Sequence, residues 1–222
     1  MKTDDMHFRY ASFNEWGIPD FLRQPAKLNV PKDMISYSFR SRFYGNRPVL
    51  LNCYTDDYRF DIAWNNPLRG LERVSSDRIW AACSPDFSLW LDVPLSVQLW
   101  NTYRNRWCGR YWQENGVMVI PSVNWSDSRS WAFCFEGIAK GQIIALRTWA
   151  TAGEDELHHF LRGYEQSVLR LDPCMIFWFG PIPAECVGDG VRKIMFPVGH
   201  RSRRKGEKWA EADLAEAGPV AE

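Results

Sequence analysis

The sequence predicts an α/β fold: a single domain in which a mostly parallel sheet of five or six strands is covered by helices on both faces. Three observations support this prediction. The apolar runs of strand length are nearly continuous, two long helical patterns lie among them, and 45% of the 222 residues are hydrophobic, enough for one full core. An open, doubly wound sheet is favoured over a barrel because only five or six strands can be counted.

Six apolar runs predict the strands in chain order. Each run is short, rich in aliphatic or aromatic residues, and ends in polar or turn-forming residues, as strands of a buried sheet do. The last run is the weakest, so the predicted number of strands is five or six. The runs are residues 48–54, 78–83, 116–121, 142–148, 174–179 and 193–197.

Two patterns with helical spacing lie between these strands. Residues 94–115 place apolar side chains three and four positions apart, with Pro94 in the first turn and Gly116 as a C-terminal cap. Residues 154–171 repeat this spacing and stop before Pro173, because the residue that precedes a proline disfavours the helical conformation. The predicted organisation is an N-terminal wrapping segment, an α/β core, and a basic then Ala- and Glu-rich tail, over residues 1–47, 48–200 and 201–222.

The formal net charge is +0, so no long-range field attracts a polyanion, and any nucleic-acid surface must be a local patch. The aromatic content is high, with 12 tryptophans, several of them beside arginine or asparagine. Such residues suit stacking on flat ligands such as bases or sugars as well as packing in the core.

The six cysteines form no CxxC pair, and none has a histidine at metal-ligand spacing. Reduced, buried thiols in a cytoplasmic protein are therefore expected in place of disulfides or zinc. The polar first residues and the lack of a membrane-spanning apolar run predict neither a signal peptide nor a membrane partner. Neither a GxGxxG nor a GxxxxGK[ST] motif occurs, so no cofactor is expected.

Polar residues follow the predicted strands, and the carboxyl ends of parallel strands are where ligands bind in such sheets. Any one of these residues, taken alone, is more often a turn or helix-cap residue. Their clustering at one predicted edge is the stronger observation. The candidates are Asp56 and Asp57 after the first run, Asp86 and Trp90 after the second, Asn124, Trp125 and Asp127 after the third, and His200 after the last.

Asp86 is the best single candidate for chemistry. Pro85 restricts the approach of the chain, and Phe87 is expected to shield the carboxyl group, which would raise its pKa by desolvation. The alternative is that Asp86 only caps a short turn through Ser88. Paired carboxylates such as Asp56 and Asp57 suit magnesium, but no further acid follows at a nuclease-like spacing, so no metal site is expected.

Two basic features stand out in this neutral chain, one within the first long helix and one after the last strand. Basic residues interleaved with aromatic ones can hold phosphates and stack bases. A solvated helix face and a basic tail explain the same residues equally well. The residues concerned are Arg104, Arg106 and Arg110, followed by Arg201, Arg203 and Arg204.

The motifs YTDDYRF, SPDFSLW, QLWNTYRNRWCGRYWQ, VIPSVNWSD and LDPCMIFWFG resemble those of a domain family of unknown function found in bacteria, phages and mobile elements. The similarity spans about residues 15–197. The order of elements is also similar to that of the uracil-DNA glycosylase superfamily, although the glycine-led first loop and the His-Pro-Ser motif of that superfamily are missing. This second resemblance implies that Asp86 handles water, Asn124 reads the base and His200 assists the leaving group.

The favoured hypothesis is therefore an enzyme, a DNA base glycosylase acting on a modified base in a phage–host conflict. Hydrolysis of an N-glycosidic bond needs a carboxylate near a cationic transition state, and base flipping needs aromatic walls and phosphate contacts. The alternative is a non-catalytic nucleic-acid-binding or regulatory protein of a phage or mobile element. A metal-dependent nuclease built on Asp56, Asp57 and Asp86 comes third.

Overall fold

The computed structural model describes residue 7 and residues 10–25, 28–38, 47–148 and 153–196. Within these ranges the chain forms seven strands and four α-helices. The strands are β1 (Asp33–Ser36), β2 (Val49–Asn52), β3 (Ile79–Cys83), β4 (Val119–Ile120), β5 (Ile143–Arg147), β6 (Met175–Phe179) and β7 (Lys193–Phe196). The helices are α1 (Ile62–Asn65), α2 (Pro67–Glu72), α3 (Leu95–Glu114) and α4 (Glu154–Leu171).

The strands lie side by side in the order in which they occur along the chain. Strands β1 to β4 form one parallel sheet, and β5 to β7 form a second one. A parallel bridge between Ser122 and Ala145 joins the two sheets. Here the Ala145 amide donates to the Pro121 carbonyl at 2.8 Å, and the Val123 amide donates to the Ala145 carbonyl at 2.9 Å. The result is a continuous run of seven parallel strands.

This run of strands is strongly curved around an apolar interior. One buried cluster consists of side chains from the strands and their immediate flanks, with no contribution from the described helices. Within it Tyr54, just after β2, packs on Phe179 of β6 at 4.7 Å between ring centroids, although three strands separate β2 from β6. Such contacts across the concave face indicate a barrel-like arrangement, as in parallel β/α barrels.

The helices cover the opposite, convex face. A larger buried cluster combines alternate strand residues, such as Leu51 and Ile144, with residues of all the helix-bearing segments. Trp107 and Trp112 of α3 and Phe160 of α4 are fully buried there. One face of each strand thus packs against helices, and the other packs against strands on the opposite side of the concave interior. This explains why the strands are apolar on both faces.

The predicted α/β class with parallel strands is confirmed. All six predicted strands and both long helices are present within a few residues of their expected bounds. Three details differ. β1 adds a seventh strand, and the described helices pack on one face, not on both. The chain-order arrangement also replaces the expected doubly wound one. The sequence pattern could not separate these cases, because a strand buried between helices and one that lines a curved interior are equally apolar.

Close packing between α4 and the loop after β4 yields a first testable prediction. A Cβ atom added at Gly163 would overlap the indole ring of Trp125, whereas one added at Gly153 meets nothing closer than 3.6 Å. We therefore expect Gly163→Ala to lower the free energy of unfolding by roughly 1–3 kcal/mol, even though alanine favours a helix. Urea denaturation would measure this change, with Gly153→Ala as the control. Equal stability of the two variants would contradict the described packing.

Candidate functional site

A pocket of about 680 Å³ opens at the carboxyl ends of the parallel strands. This is the edge at which parallel α/β sheets and barrels place their ligands, because the loops there converge from several strands. Six of the seven strands each supply a lining residue, in the strand itself or in the loop that follows. In chain order these are Ser36, Asn52, Asp86, Asn124, Arg147 and Phe179.

Asp86 and Asn124 meet within this pocket, although 38 residues separate them. The side-chain amide Nδ2 of Asn124 donates to Asp86 Oδ1 at 2.9 Å and to the Phe87 carbonyl at 2.9 Å. The second contact fixes the amide so that it keeps facing the carboxyl group. Among the described residues nothing donates to Asp86 Oδ2, which leaves that oxygen for a ligand or water.

The pKa of Asp86 is raised from its ordinary value of 3.8 to about 7. Burial is the largest cause, and the nearby charge of Asp57 adds to it, while Arg147 and Arg106 act in the opposite direction. A carboxyl group that exchanges its proton near neutral pH can serve as a general acid or base. The upward shift expected from the apolar surroundings of Asp86 is therefore present.

Asp57 is the second partly buried carboxyl group of the pocket and accepts two hydrogen bonds from Ser88. The backbone N–H of Ser88 donates to Asp57 Oδ2 at 3.0 Å and its hydroxyl donates to Oδ1 at 2.9 Å. Burial raises the pKa of Asp57, and these two hydrogen bonds oppose the shift. The expected alternative role of Asp86, capping the turn through Ser88, is thus wrong, because Asp57 is the acceptor for Ser88.

Side chains of helix α3 hold the loop that carries Asp86 in place through hydrogen bonds to its backbone carbonyls. The Asn101 side chain donates to the Ser88 carbonyl at 2.7 Å. Gln98 donates to the carbonyls of Trp90 at 2.9 Å and Val93 at 2.8 Å. Both side chains are buried, which explains why a helix at the convex face carries amide groups along its inner side. These bonds fix the loop and limit the freedom of the carboxyl group that it presents.

The remaining predicted substrate contacts lie in different places. Trp90 lines the pocket and is 60% exposed, so its ring is free to stack on a ligand. Trp125 also borders the pocket but is buried against Phe160, with 5.3 Å between centroids, and serves mainly as core. Asp56 borders the pocket and pairs with Arg59 at 3.1 Å. Asp127 lies outside the lining and pairs with Arg129.

The three predicted helix arginines are mostly engaged within the protein. Arg106 is 1% exposed and donates to backbone carbonyls, so it cannot reach a phosphate at the surface. Arg104 stacks on the Phe87 ring, 3.9 Å from its centroid, and lies 3.7 Å from Asp61. Arg110 pairs with Glu114 at 2.7 Å. The predicted residues His200, Arg201, Arg203 and Arg204 lie outside the described residues.

Arg147 and Tyr54 were not among the predicted site residues, yet both line the pocket. The sequence could have identified Arg147, because it ends an otherwise apolar strand. Burying a charged side chain there is unfavourable unless the side chain faces a pocket. Tyr54 gave no such signal, since an aromatic residue after an apolar run is ordinary core. The order of the strands was needed to place both beside Asp86.

In the part of the chain that the structure describes, no group of three or more His, Cys, Asp or Glu side chains could hold a metal ion. Five of the six cysteines are buried, and no disulfide bond joins any of them within the described residues. No described helix has the length and apolar character needed to cross a bilayer.

Comparison with known proteins places the chain among phage-associated proteins. It is 36% identical over 217 residues to the Gene 1 protein of Mycobacterium phage L5, covering 96% of this chain and 91% of the relative. It is 35% identical over 220 residues to the Gene 1 protein of Mycobacterium phage D29, with 96% and 79% covered. No solved structure matches the chain. Residues 10–196 match the family model described as Domain of unknown function (DUF4417). The resemblance predicted from the sequence motifs is confirmed, and the chain belongs to the DUF4417 family.

Proposed function

We propose that the protein is a hydrolase that cleaves the N-glycosidic bond of a nucleotide unit, such as a modified base in phage DNA. The observation that carries this proposal is the Asp86–Asn124 pair: a carboxyl group with a pKa of about 7, oriented by an amide and facing a ligand-sized pocket. The similarity to mycobacteriophage Gene 1 proteins supports a phage–host setting.

The two carboxyl groups suit the two tasks of glycoside cleavage. In its ionised form, Asp86 takes a proton from a water molecule through Oδ2, and the water oxygen adds to the anomeric carbon as the bond to the base nitrogen breaks. A base with a pKa near the working pH is efficient at this step. Asp57 accepts two hydrogen bonds from Ser88 that favour its ionised form against burial, and that form offsets the positive charge that develops on the sugar ring.

The shape of the pocket suits a flat, polar ligand. Its volume of about 680 Å³ lies within the range of small-molecule sites. At its rim, Trp90 and Tyr58 are 60% and 67% exposed and offer ring faces for a base. Because both N–H groups of the Asn124 side chain are engaged, it can present its side-chain oxygen Oδ1 to a donor on the base edge, and His200 stays the predicted donor to the leaving base. Access to a base within a duplex would require flipping it out.

This proposal predicts that Asp86→Asn abolishes base release while leaving the fold intact. Unmodified DNA, phage DNA with modified bases, and free nucleotides would be incubated with wild-type protein. Base release is followed by chromatography, and abasic sites by strand cleavage in alkali. For the wild type, kcat/KM should fall below a pH near 7, where Asp86 becomes protonated. The variant should lose at least about 100-fold in rate, the usual scale of general acid–base catalysis.

The matched control is Asp92→Asn, since Asp92 is exposed and does not line the pocket. Full activity in Asp86→Asn would refute the role of this residue. If the wild type binds nucleic acid with strong salt dependence but releases no base from any substrate, the protein is instead a binding or regulatory module.

A further inference from the structure

Arg147 is a cation in the pocket that has no hydrogen-bond or ion-pair partner among the described residues. It is the last residue of β5, lines the pocket and is partly buried. Its Nε atom is inaccessible to solvent and makes no hydrogen bond within the described chain. No carboxylate of the described residues lies within 4.0 Å of its guanidinium, in contrast to Arg59, Arg110 and Arg129.

Tyr54 offers a second polar group to the same pocket. The side chain is only 9% exposed and its ring packs against Phe179. Its buried hydroxyl makes no hydrogen bond of normal geometry to any described residue, although the Ser122 side chain lies nearby. The charge of Arg147 acts on Tyr54 and on Asp86 alike, so the three groups share one region of the pocket.

Leaving a buried guanidinium N–H and a buried phenol without acceptors is unfavourable by the desolvation cost of each group. Arg147 and Tyr54 both line the pocket and Arg147 is only partly buried, so a ligand there offsets this cost by bringing acceptors to the guanidinium and, with a small side-chain movement, to the phenol. Arginine and a hydroxyl are the donors that recognise a phosphate group, because the guanidinium can make two parallel hydrogen bonds to its oxygens. The carboxyl groups of Asp57 and Asp86 cannot fill this role, since neither donates to or accepts from Arg147 at hydrogen-bond distance.

We propose that Arg147 and Tyr54 form an anion subsite for the phosphate group of the ligand, so that the substrate class is the nucleotide and not the free base or nucleoside. Trp90 would then contact the base, while Asp86 and Asn124 face the glycosidic bond between these two ends. The choice of a nucleotide rests on the proposed function. The binding of an oxyanion by Arg147 does not.

The test measures binding without turnover, in the Asp86→Asn background. Calorimetric titrations would use the four 2′-deoxynucleoside 5′-monophosphates, the matching nucleosides, inorganic phosphate and a short single-stranded oligodeoxynucleotide. We expect monophosphates to bind at least about 10-fold tighter than nucleosides, as a charge-assisted hydrogen bond implies. Phosphate alone should bind weakly and compete. Whether monophosphate or oligodeoxynucleotide binds tighter distinguishes a free nucleotide from a DNA strand as the source of the phosphate.

Arg147→Gln should abolish the preference for monophosphates and leave nucleoside binding nearly unchanged. Arg147→Lys should keep part of it, and Tyr54→Phe should weaken phosphate binding by about 3- to 10-fold, the scale of one neutral hydrogen bond. Arg129→Gln is the matched control, because Arg129 is exposed, pairs with Asp127 and lies outside the pocket. Circular dichroism and thermal melting establish that each variant is folded.

The subsite is refuted if monophosphates bind no tighter than nucleosides, if no phosphate-bearing probe binds, or if folded Arg147→Gln keeps the preference. Failure of the proposed function has a different signature. In that case the preference for monophosphates is intact and depends on Arg147, but the wild-type protein releases no base. Conversely, if the protein releases the base from nucleosides and nucleotides with equal kcat/KM, the proposed glycosidase activity is supported and the anion subsite is refuted.

Discussion

Replacing Asp86 by asparagine is expected to raise the free energy of unfolding at pH 8 by about 2–4 kcal/mol. The pKa of Asp86 is about 7 in the folded protein, against 3.8 as its ordinary value. At pH 8 the carboxyl group is ionised in both states, and burial beside Asp57 disfavours the ion in the folded state alone. Asparagine removes this cost and still accepts the hydrogen bond of Asn124 through its own side-chain oxygen.

The pH dependence follows from the sign of the shift. Below about pH 4 the carboxyl group is protonated in both states, so wild type and variant should be equally stable with respect to this residue. As the pH rises towards 7, the wild type loses the stability that the protonated form provides. The advantage of the variant therefore grows from pH 4 to 7 and is constant above. Urea denaturation at pH 4.5, 6 and 8 would measure it, with Asp92→Asn as the control.

A residue that costs stability but lies in a pocket is typical of a functional site. If Asp86 were only a turn residue, its replacement would lower stability or leave it unchanged at every pH. A loss of stability at pH 8 would therefore contradict the described environment of the carboxyl group. If Asp86→Asn gains stability at pH 8 and also loses base release, Asp86 is favoured as the acid–base residue. A role only in the conformation of the loop would not explain both results.

The sequence allowed the elements of the fold to be predicted, but not their arrangement. Strands β2 to β7 and helices α3 and α4 have strong apolar patterns of the right period. Strand β1 was missed because Asp33–Ser36 has only two apolar residues between polar ones, and its pairing with β2 depends on a segment far along the chain. Strand order is a long-range property, since apolar strands fit a doubly wound sheet and a curved, sequential one equally well.

Asp57, Asp86 and Asn124 lie in one pocket. The sequence could predict that they lie close together, because ligand-binding residues follow the carboxyl ends of parallel strands whatever the order of those strands. It could not reveal which way the side chains of α3 point. That helix buries amides and a guanidinium on its inner side, whereas its polar pattern suits a nucleic-acid surface and a solvated helix face equally well. Arg106 is the clearest case, and its substitution has the second large expected effect.

Arg106→Ala is expected to lower the free energy of unfolding by about 3–5 kcal/mol. This is the scale of effect when a buried charged donor is removed and its acceptors stay buried without a partner. The guanidinium donates to the carbonyls of Cys134 at 2.6 Å and Glu136 at 2.8 Å, and to Asn105 Oδ1 at 2.8 Å. Burial lowers the pKa of Arg106 to about 10, so it stays charged at neutral pH. Without it, the carbonyls of Cys134 and Glu136 lose these donors and a cavity is left in the core, whereas Asn105 Oδ1 keeps the hydrogen bond from the Ser84 hydroxyl.

Urea denaturation of Arg106→Ala, Arg106→Lys and Arg110→Ala separates a structural role from phosphate binding. Lysine should recover only part of the lost stability, because one ammonium group cannot reach carbonyls that a planar guanidinium bridges. Arg110→Ala should cost less, about 1 kcal/mol, since Arg110 is partly exposed and loses only the pair with Glu114 and one hydrogen bond to the Asp20 carbonyl. The opposite result would be an Arg106→Ala variant that is as stable as the wild type but binds DNA more weakly and with less salt dependence. That result would support the interpretation that Arg106 contacts phosphates at a nucleic-acid surface. Arg106 also donates to the carbonyl of Ser122, just after β4, at 3.3 Å. Its described contacts thus link α3 to the loop after β4 and to the loop at residues 134–136, which makes Arg106 a structural support near the Asp86 pocket.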